Sequence, residues 1–285
     1  MSETSHRPPD VDRIRAVMAE EAARDEREDV ASVTDIDAAG TTCRVYAPSA
    51  APVGTMTFAH GGGFVFGDLD THDAHMRRLA NRTGWAVVAV HYRRAPEHHH
   101  PAAMDDMERA LTWLVAEGPA YGLPTDRIAP IGDSAGAKLA LSLALRHPGT
   151  FTALVLVYPF VDPRLRYVAT DTAERRAAVA SARWYWDRYI GDHDPSDPEV
   201  SPIDSPDLGT LPPTLVVTAG LDYLCPENEE LARRIAAAGG DATIDHHPDV
   251  AHGFWRKAAL HPESEASLAV IDRFLADADA DAGGR

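Results

Sequence analysis

Cysteine is nearly absent: Cys43 and Cys225 are the whole complement of 285 residues. Two cysteines cannot build a disulfide framework, and they share no metal-ligand spacing. Long apolar runs are missing too, and none approaches the ~18 residues of a membrane span. The first residues, Met-Ser-Glu-Thr-Ser-His, lack the apolar stretch of a secretory leader. Positive charge is scarce, with 27 Lys and Arg against 44 Asp and Glu, for a net charge of −17. Nucleic-acid binding needs a basic footprint, so that class is excluded. No internal repeat, no G-K-[ST] and no spaced G-x-G-x-x-G is present, which argues against a phosphate-binding loop. These absences point to a chain with no membrane and no nucleic-acid partner, in a reducing cytoplasm.

What is there fits one large α/β domain, or one with an insertion: 45% of residues are apolar and 25% charged. Residues 1–9 read as disordered. From Asp10, a helical stripe runs to about Asp29. Residues 30–37 and 41–47 read as a hairpin turning at Ala39-Gly40. Strands are expected at Val53–Ala59, Trp85–Val90, Ile128–Ile131, Ala153–Val157, Leu215–Thr218 and Ala242–His246. Helices alternate with them at Thr71–Thr83, Met104–Ala116, Ala135–Arg146, Glu227–Ala238 and Glu263–Ala276, before a fraying Asp/Ala tail. All-apolar central strands alternating with helices indicate a largely parallel sheet covered on both faces. Residues 160–210 break the rhythm with one long helix, about Asp171–Ile190, and no strand. The expected division is an N-terminal cap segment (1–29), a core (30–159 and 211–285) and a cap insertion (160–210).

Gly132-Asp133-Ser134-Ala135-Gly136 fits G-x-S-x-G, with a short apolar strand before it and a helix after it. A serine on so sharp a turn has strained backbone angles and needs small flanking residues, and its hydroxyl stands clear of the sheet. His60-Gly61-Gly62-Gly63-Phe64 leaves another strand upstream. Three consecutive glycines serve either as a flexible turn or as an oxyanion hole. In the second reading the Gly61 and Gly62 amides face a developing O⁻, with the Ala135 N–H as a third donor. A serine nucleophile needs a base and an orienting acid. Asp222 follows strand Leu215–Thr218 by a short turn, and His252 lies between the last strand and last helix, in the chain order serine, acid, histidine. His246, His247 and His261 are rivals for the base. His98, His99 and His100 are adjacent and so point apart, and no carboxylate or cysteine completes a ligand spacing, so no metal is expected.

With these residues placed, the chain resembles the bacterial hormone-sensitive-lipase-like esterases of the α/β-hydrolase superfamily. The matching stretches are His60–Phe64, Tyr92-Arg93-x-Ala95-Pro96-Glu97-His98, Gly132–Gly136, Gly220-x-Asp222-x-Leu224 and His252-Gly253-Phe254. The resemblance implies an α/β-hydrolase fold: a mostly parallel eight-stranded sheet, helices on both faces and a helical cap. It also implies hydrolysis of carboxylic esters without cofactor, by a Ser134–His252–Asp222 triad with Gly61, Gly62 and Ala135 as the oxyanion hole. The chain departs from the family pattern at His91, at Ala137-Lys138 after the elbow, and at His99-His100.

The expected activity is that of a serine carboxylesterase on a small-molecule ester with a short-to-medium acyl or aryl group. A tailoring enzyme on the same scaffold (acyltransferase, lyase or cyclase) is the alternative. A non-catalytic binding protein fits less well, because the serine, acid, histidine and glycine loop are all intact. Trp186, near Tyr189 at helical spacing, is expected at the substrate pocket with Phe64 and Phe66, while Trp184 and Tyr185 point elsewhere. Lys138, one helical turn past Ser134, is expected to form a structural ion pair. A homodimer is compatible with this reading.

Overall fold

The computed structural model describes residues 10–258 and 260–283, with side chains to 278. The expectation for residues 1–9 lies outside the described residues. Strands β1 (Ser32–Ala38) and β2 (Thr41–Ala47) form an antiparallel hairpin. Ala39 and Gly40 both take positive φ at its turn, which suits the right-handed twist of a two-residue connection. Then come β3 (Thr55–Ala59), β4 (Ala86–Val90), β5 (Ile128–Asp133), β6 (Leu154–Val157), β7 (Thr214–Ala219) and β8 (Ala242–His247). The eight strands lie in the order β1-β2-β4-β3-β5-β6-β7-β8, and every pairing from β4 onward is parallel.

Every residue of β3 to β7 is buried, as strands covered on both faces must be. Their side chains alternate between two cores. Val88, Val90, Leu154, Leu156 and Val216 face α3 (Ala102–Glu117), α4 (Ala135–Arg146) and α6 (Cys225–Ala237). Val87, Ala89, Val155, Val157, Leu215 and Val217 face α2 (Leu69–Thr83) and α7 (Pro262–Gly283). The last helix therefore continues to Gly283 through the Asp/Ala stretch expected to fray. Its alternate alanines favour helix, which keeps that stretch helical.

Two further helices lie outside this scheme. Helix α1 (Val11–Ala22) and α5 (Ala173–Ile190) meet over the segment after β3, where Val11, Ile14 and Met18 pack with Val65, Phe66, Trp184 and Tyr185. Arg15 fixes α1 there, donating to the carbonyls of Val65 and Ala95 at 2.9 Å each and pairing with Glu97 at 2.6 Å. No helix among the described residues is long and apolar enough to cross a membrane.

Candidate active site

Strand β5 ends at Asp133 and α4 begins at Ala135, so the whole reversal falls on Ser134, at φ 53° and ψ −117°. A side chain at Gly136 would overlap the carbonyl of Ala59, so strand β3 can pass this close only if that position is glycine. The turn is anchored by Ser134 N–H to Val157 O at 2.8 Å and by Phe160 N–H to Ser134 O at 3.2 Å.

Facing it, the loop after β8 brings His252 Nε2 to 3.0 Å from Ser134 Oγ. His252 Nδ1 lies 2.6 Å from Oδ2 of Asp222, which leaves β7 through Gly220-Leu221. Asp222 is buried and also accepts the Leu224 amide at 3.1 Å. Burial lowers the His252 pKa, but the charge and hydrogen bond of Asp222 more than offset this, and the pKa is raised overall. A third of the imidazole side chain still opens onto a cavity of about 440 Å³, the size of a small-molecule site. A buried serine hydroxyl, a base whose proton is held by a carboxylate, and adjacent backbone amides are together equipped for acyl transfer.

The glycine loop differs from expectation at one residue. The Gly61 amide donates to Asp133 Oδ1 at 2.7 Å, so it is not free for an oxyanion. Gly62 and Gly63 line the cavity instead. Asp133 would be pushed up by its burial, but His72 at 3.5 Å, Arg256 at 3.8 Å and the Gly61 amide hold it well below the usual carboxylate range. Gly62 has φ 121°, and a Cβ there would overlap the Phe66 carbonyl, so any substitution deforms the loop itself.

The aromatic expectations need a larger correction. Phe64, Phe66 and Trp186 do not line the cavity. Phe64 stacks on Tyr189 at 3.9 Å and lies 5.0 Å from Trp186, both buried behind the wall. Phe66 stacks on Trp184 at 6.2 Å. The ring that α5 presents is Tyr185, with Tyr158, Phe160 and Tyr223 contributed by the core loops. The signal was in the helix: Glu174, Ala178, Ser181 and Tyr185 recur at spacings of four, three and four and share the cavity face. Val179, Ala182, Trp186 and Tyr189 form a second, buried stripe about a quarter-turn round the helix. Arg175 and Arg256 also line the cavity and went unnoticed in the sequence.

Among the described residues, Lys138 forms no ion pair. It is fully buried away from the cavity and donates to Glu199 O at 2.9 Å and Tyr189 OH at 3.2 Å. The nearby Glu199 carboxylate is taken by Arg146 Nε at 2.9 Å. His99 Nδ1 donates to Arg188 O, and the His100 amide to Tyr189 O, each at 2.7 Å. Two of the three departures from the family pattern thus grip the last turn of α5. Among the described residues, the one trio of metal-type donors is Cys225, Glu229 and His246, none of which lines the cavity.

A model of the alpha/beta hydrolase fold matches residues 56–256. The chain is 34% identical over 233 residues to esterase LipI of Mycobacterium tuberculosis, covering 77% of this chain and 72% of that one. It is 31% identical over 259 residues to an ethyl acetate hydrolase of Pseudomonas putida, covering 84% and 79%. Among solved structures, the hyperthermophilic esterase of the archaeon Pyrobaculum calidifontis superposes with a TM-score of 0.83 at 31% identity, over 94% of this chain and 91% of that one. An esterase of the bacterial hormone-sensitive lipase family gives a TM-score of 0.84 at 27% identity, over 95% and 92%.

Proposed function

We propose, from the premise that this chain belongs to the α/β-hydrolase-fold family and is a carboxylic ester hydrolase of the bacterial hormone-sensitive-lipase type, that Ser134, His252 and Asp222 carry the reaction. The observation behind this reading is the 3.0 Å approach of His252 Nε2 to Ser134 Oγ, with Nδ1 held at 2.6 Å by Asp222.

Ser134 Oγ attacks the ester carbonyl carbon as His252 takes its proton. Asp222 keeps the imidazole in the tautomer that accepts at Nε2 and stabilises the imidazolium that forms. The tetrahedral oxyanion is received by the amides of Gly62, Gly63 and Ala135, the last at the N-terminus of α4. His252 then protonates the departing alcohol, and water repeats the sequence on the acyl-enzyme. Helix α1 and residues 160–210 act as a cap over this cavity. Its aromatic wall, and relatives described as hydrolysing ethyl acetate and acetyl groups, favour short acyl chains. The two buried free cysteines suit a reducing cytoplasm.

The test is a fluorophosphonate probe with intact-mass readout. Wild type should gain one adduct and lose esterase activity, and Ser134→Ala should gain none. An adduct on the alanine variant would remove Ser134 from the mechanism.

A further inference from the structure

Arg256 ends the short helical turn Phe254–Arg256 that follows His252, and its side chain lines the cavity together with Ser134 and His252. A guanidinium carries five N–H donors and is always charged. Here its Nε is buried with no hydrogen-bond partner. Its ion-pair contact among the described residues is Asp133 Oδ2 at 3.8 Å, too long for a hydrogen bond. Asp133 meanwhile turns its other oxygen to the Gly61 amide at 2.7 Å.

The remaining charges around the cavity are occupied or outlying. Arg175 donates to Asp171 at 2.7 Å and to Gly220 O at 2.9 Å. Asp222 is committed to His252 and to the Leu224 amide. Glu174 is solvent-exposed. Arg256 is thus the cation of this cavity with a buried N–H, at Nε, that lacks an acceptor, and a polar group taken out of water without a partner is a cost that a ligand can relieve.

We propose that the ester this enzyme is built for carries a carboxylate, and that Arg256 receives it and so sets substrate preference. The inference rests on the Ser134 reading above and adds the class of substrate to it. The carboxylate can belong to the acyl part, as in a half-ester of a dicarboxylic acid, or to the alcohol part, as in the acetate of a hydroxy acid.

Two matched pairs separate these sources: monoethyl adipate against ethyl hexanoate, and 4-acetoxybenzoate against its methyl ester. The quantity to measure is the ratio of kcat/KM, anionic over neutral, within each pair. In Arg256→Met this ratio should fall by about tenfold in at least one pair, the size of one charge-assisted hydrogen bond in a partly wet site. Arg256→Lys should keep part of it, and the pair that responds identifies the side bearing the charge. If both members of each pair fell together, Arg256 would be only a counter-charge for Asp133 and the proposal would be wrong. Ratios unmoved in either variant would overturn it equally, with the Ser134 reading intact. A wild type that hydrolysed none of the four esters would overturn the proposal, and the fluorophosphonate probe would show separately whether the Ser134 reading falls with it.

Discussion

An imidazole wedged between a serine hydroxyl and a buried carboxylate titrates differently from one in water. The upward shift of His252, against the pull of burial, comes from the charge and hydrogen bond of Asp222. On the proposed mechanism the base works only when neutral, so kcat/KM should fall as the pH drops through this raised pKa. The acid limb of the pH–kcat/KM profile is therefore expected above the ordinary 6.5. Asp222→Asn keeps the shape and removes the charge; it should move the limb down and cut kcat by about 10⁴-fold, the loss known when a triad histidine sits in the wrong tautomer. A limb unmoved by that substitution would take Asp222 out of the triad. The juxtaposition of Ser134, Asp222 and His252 is legible in the sequence because backbone context fixes each one: an elbow, a post-strand turn, a loop before the last helix. Which of the glycine-loop amides stay free is not legible. Which of three adjacent glycines keeps its N–H depends on the rotamer of Asp133, and strand periodicity says nothing about that.

Helix α5 carries two functions on two stripes. One stripe lines the cavity with Tyr185 and the other buries Trp186 and Tyr189. The sequence shows the helix and its aromatic wealth, but a run of Trp184, Tyr185, Trp186 and Tyr189 fits either assignment of faces. The small residues Ala178 and Ser181, which leave room for a cavity, are the better marker. Beneath the buried stripe, burial brings the Lys138 pKa from 10.5 to about 7, because it has only neutral acceptors. Between those two values the unfolded chain holds a proton that the folded chain has released, so this group makes stability rise with pH. Lys138→Met removes that contribution. The difference in Tm, variant minus wild type, should therefore decrease steadily from pH 7 towards pH 10 in paired thermal melts. A difference independent of pH would mean that Lys138 stays charged in the fold.

At the scale of the whole molecule, the sheet was the most legible part. Buried parallel strands announce themselves as short all-apolar runs, and the two cores follow from their alternation. The break in rhythm at residues 160–210 was visible, but not the means by which that segment is tied to the sheet. Arg175 of α5, for example, reaches the carbonyl of Gly220 beside Asp222. The proposed substrate site is a cavity of about 440 Å³ with Tyr158, Phe160, Tyr185 and Tyr223 in its wall. Each added methylene should help by at most ~0.8 kcal/mol until the space is full, then cost activity. Across p-nitrophenyl esters from acetate to palmitate, kcat/KM should peak between about two and eight carbons, with no activation by emulsified oil. A maximum at palmitate would contradict this picture of the cap. The separation of the serine and its base along the chain, 118 residues, also has a consequence in time. A ribosome finishes the elbow, its helix and the glycine loop long before it has made the loop that carries His252. Until β8 and that loop have emerged and docked, the growing chain holds a serine with no base beside it. If the proposed roles of Ser134 and His252 hold, the enzyme is inert throughout most of its own synthesis and becomes active only once its last strand has joined the sheet.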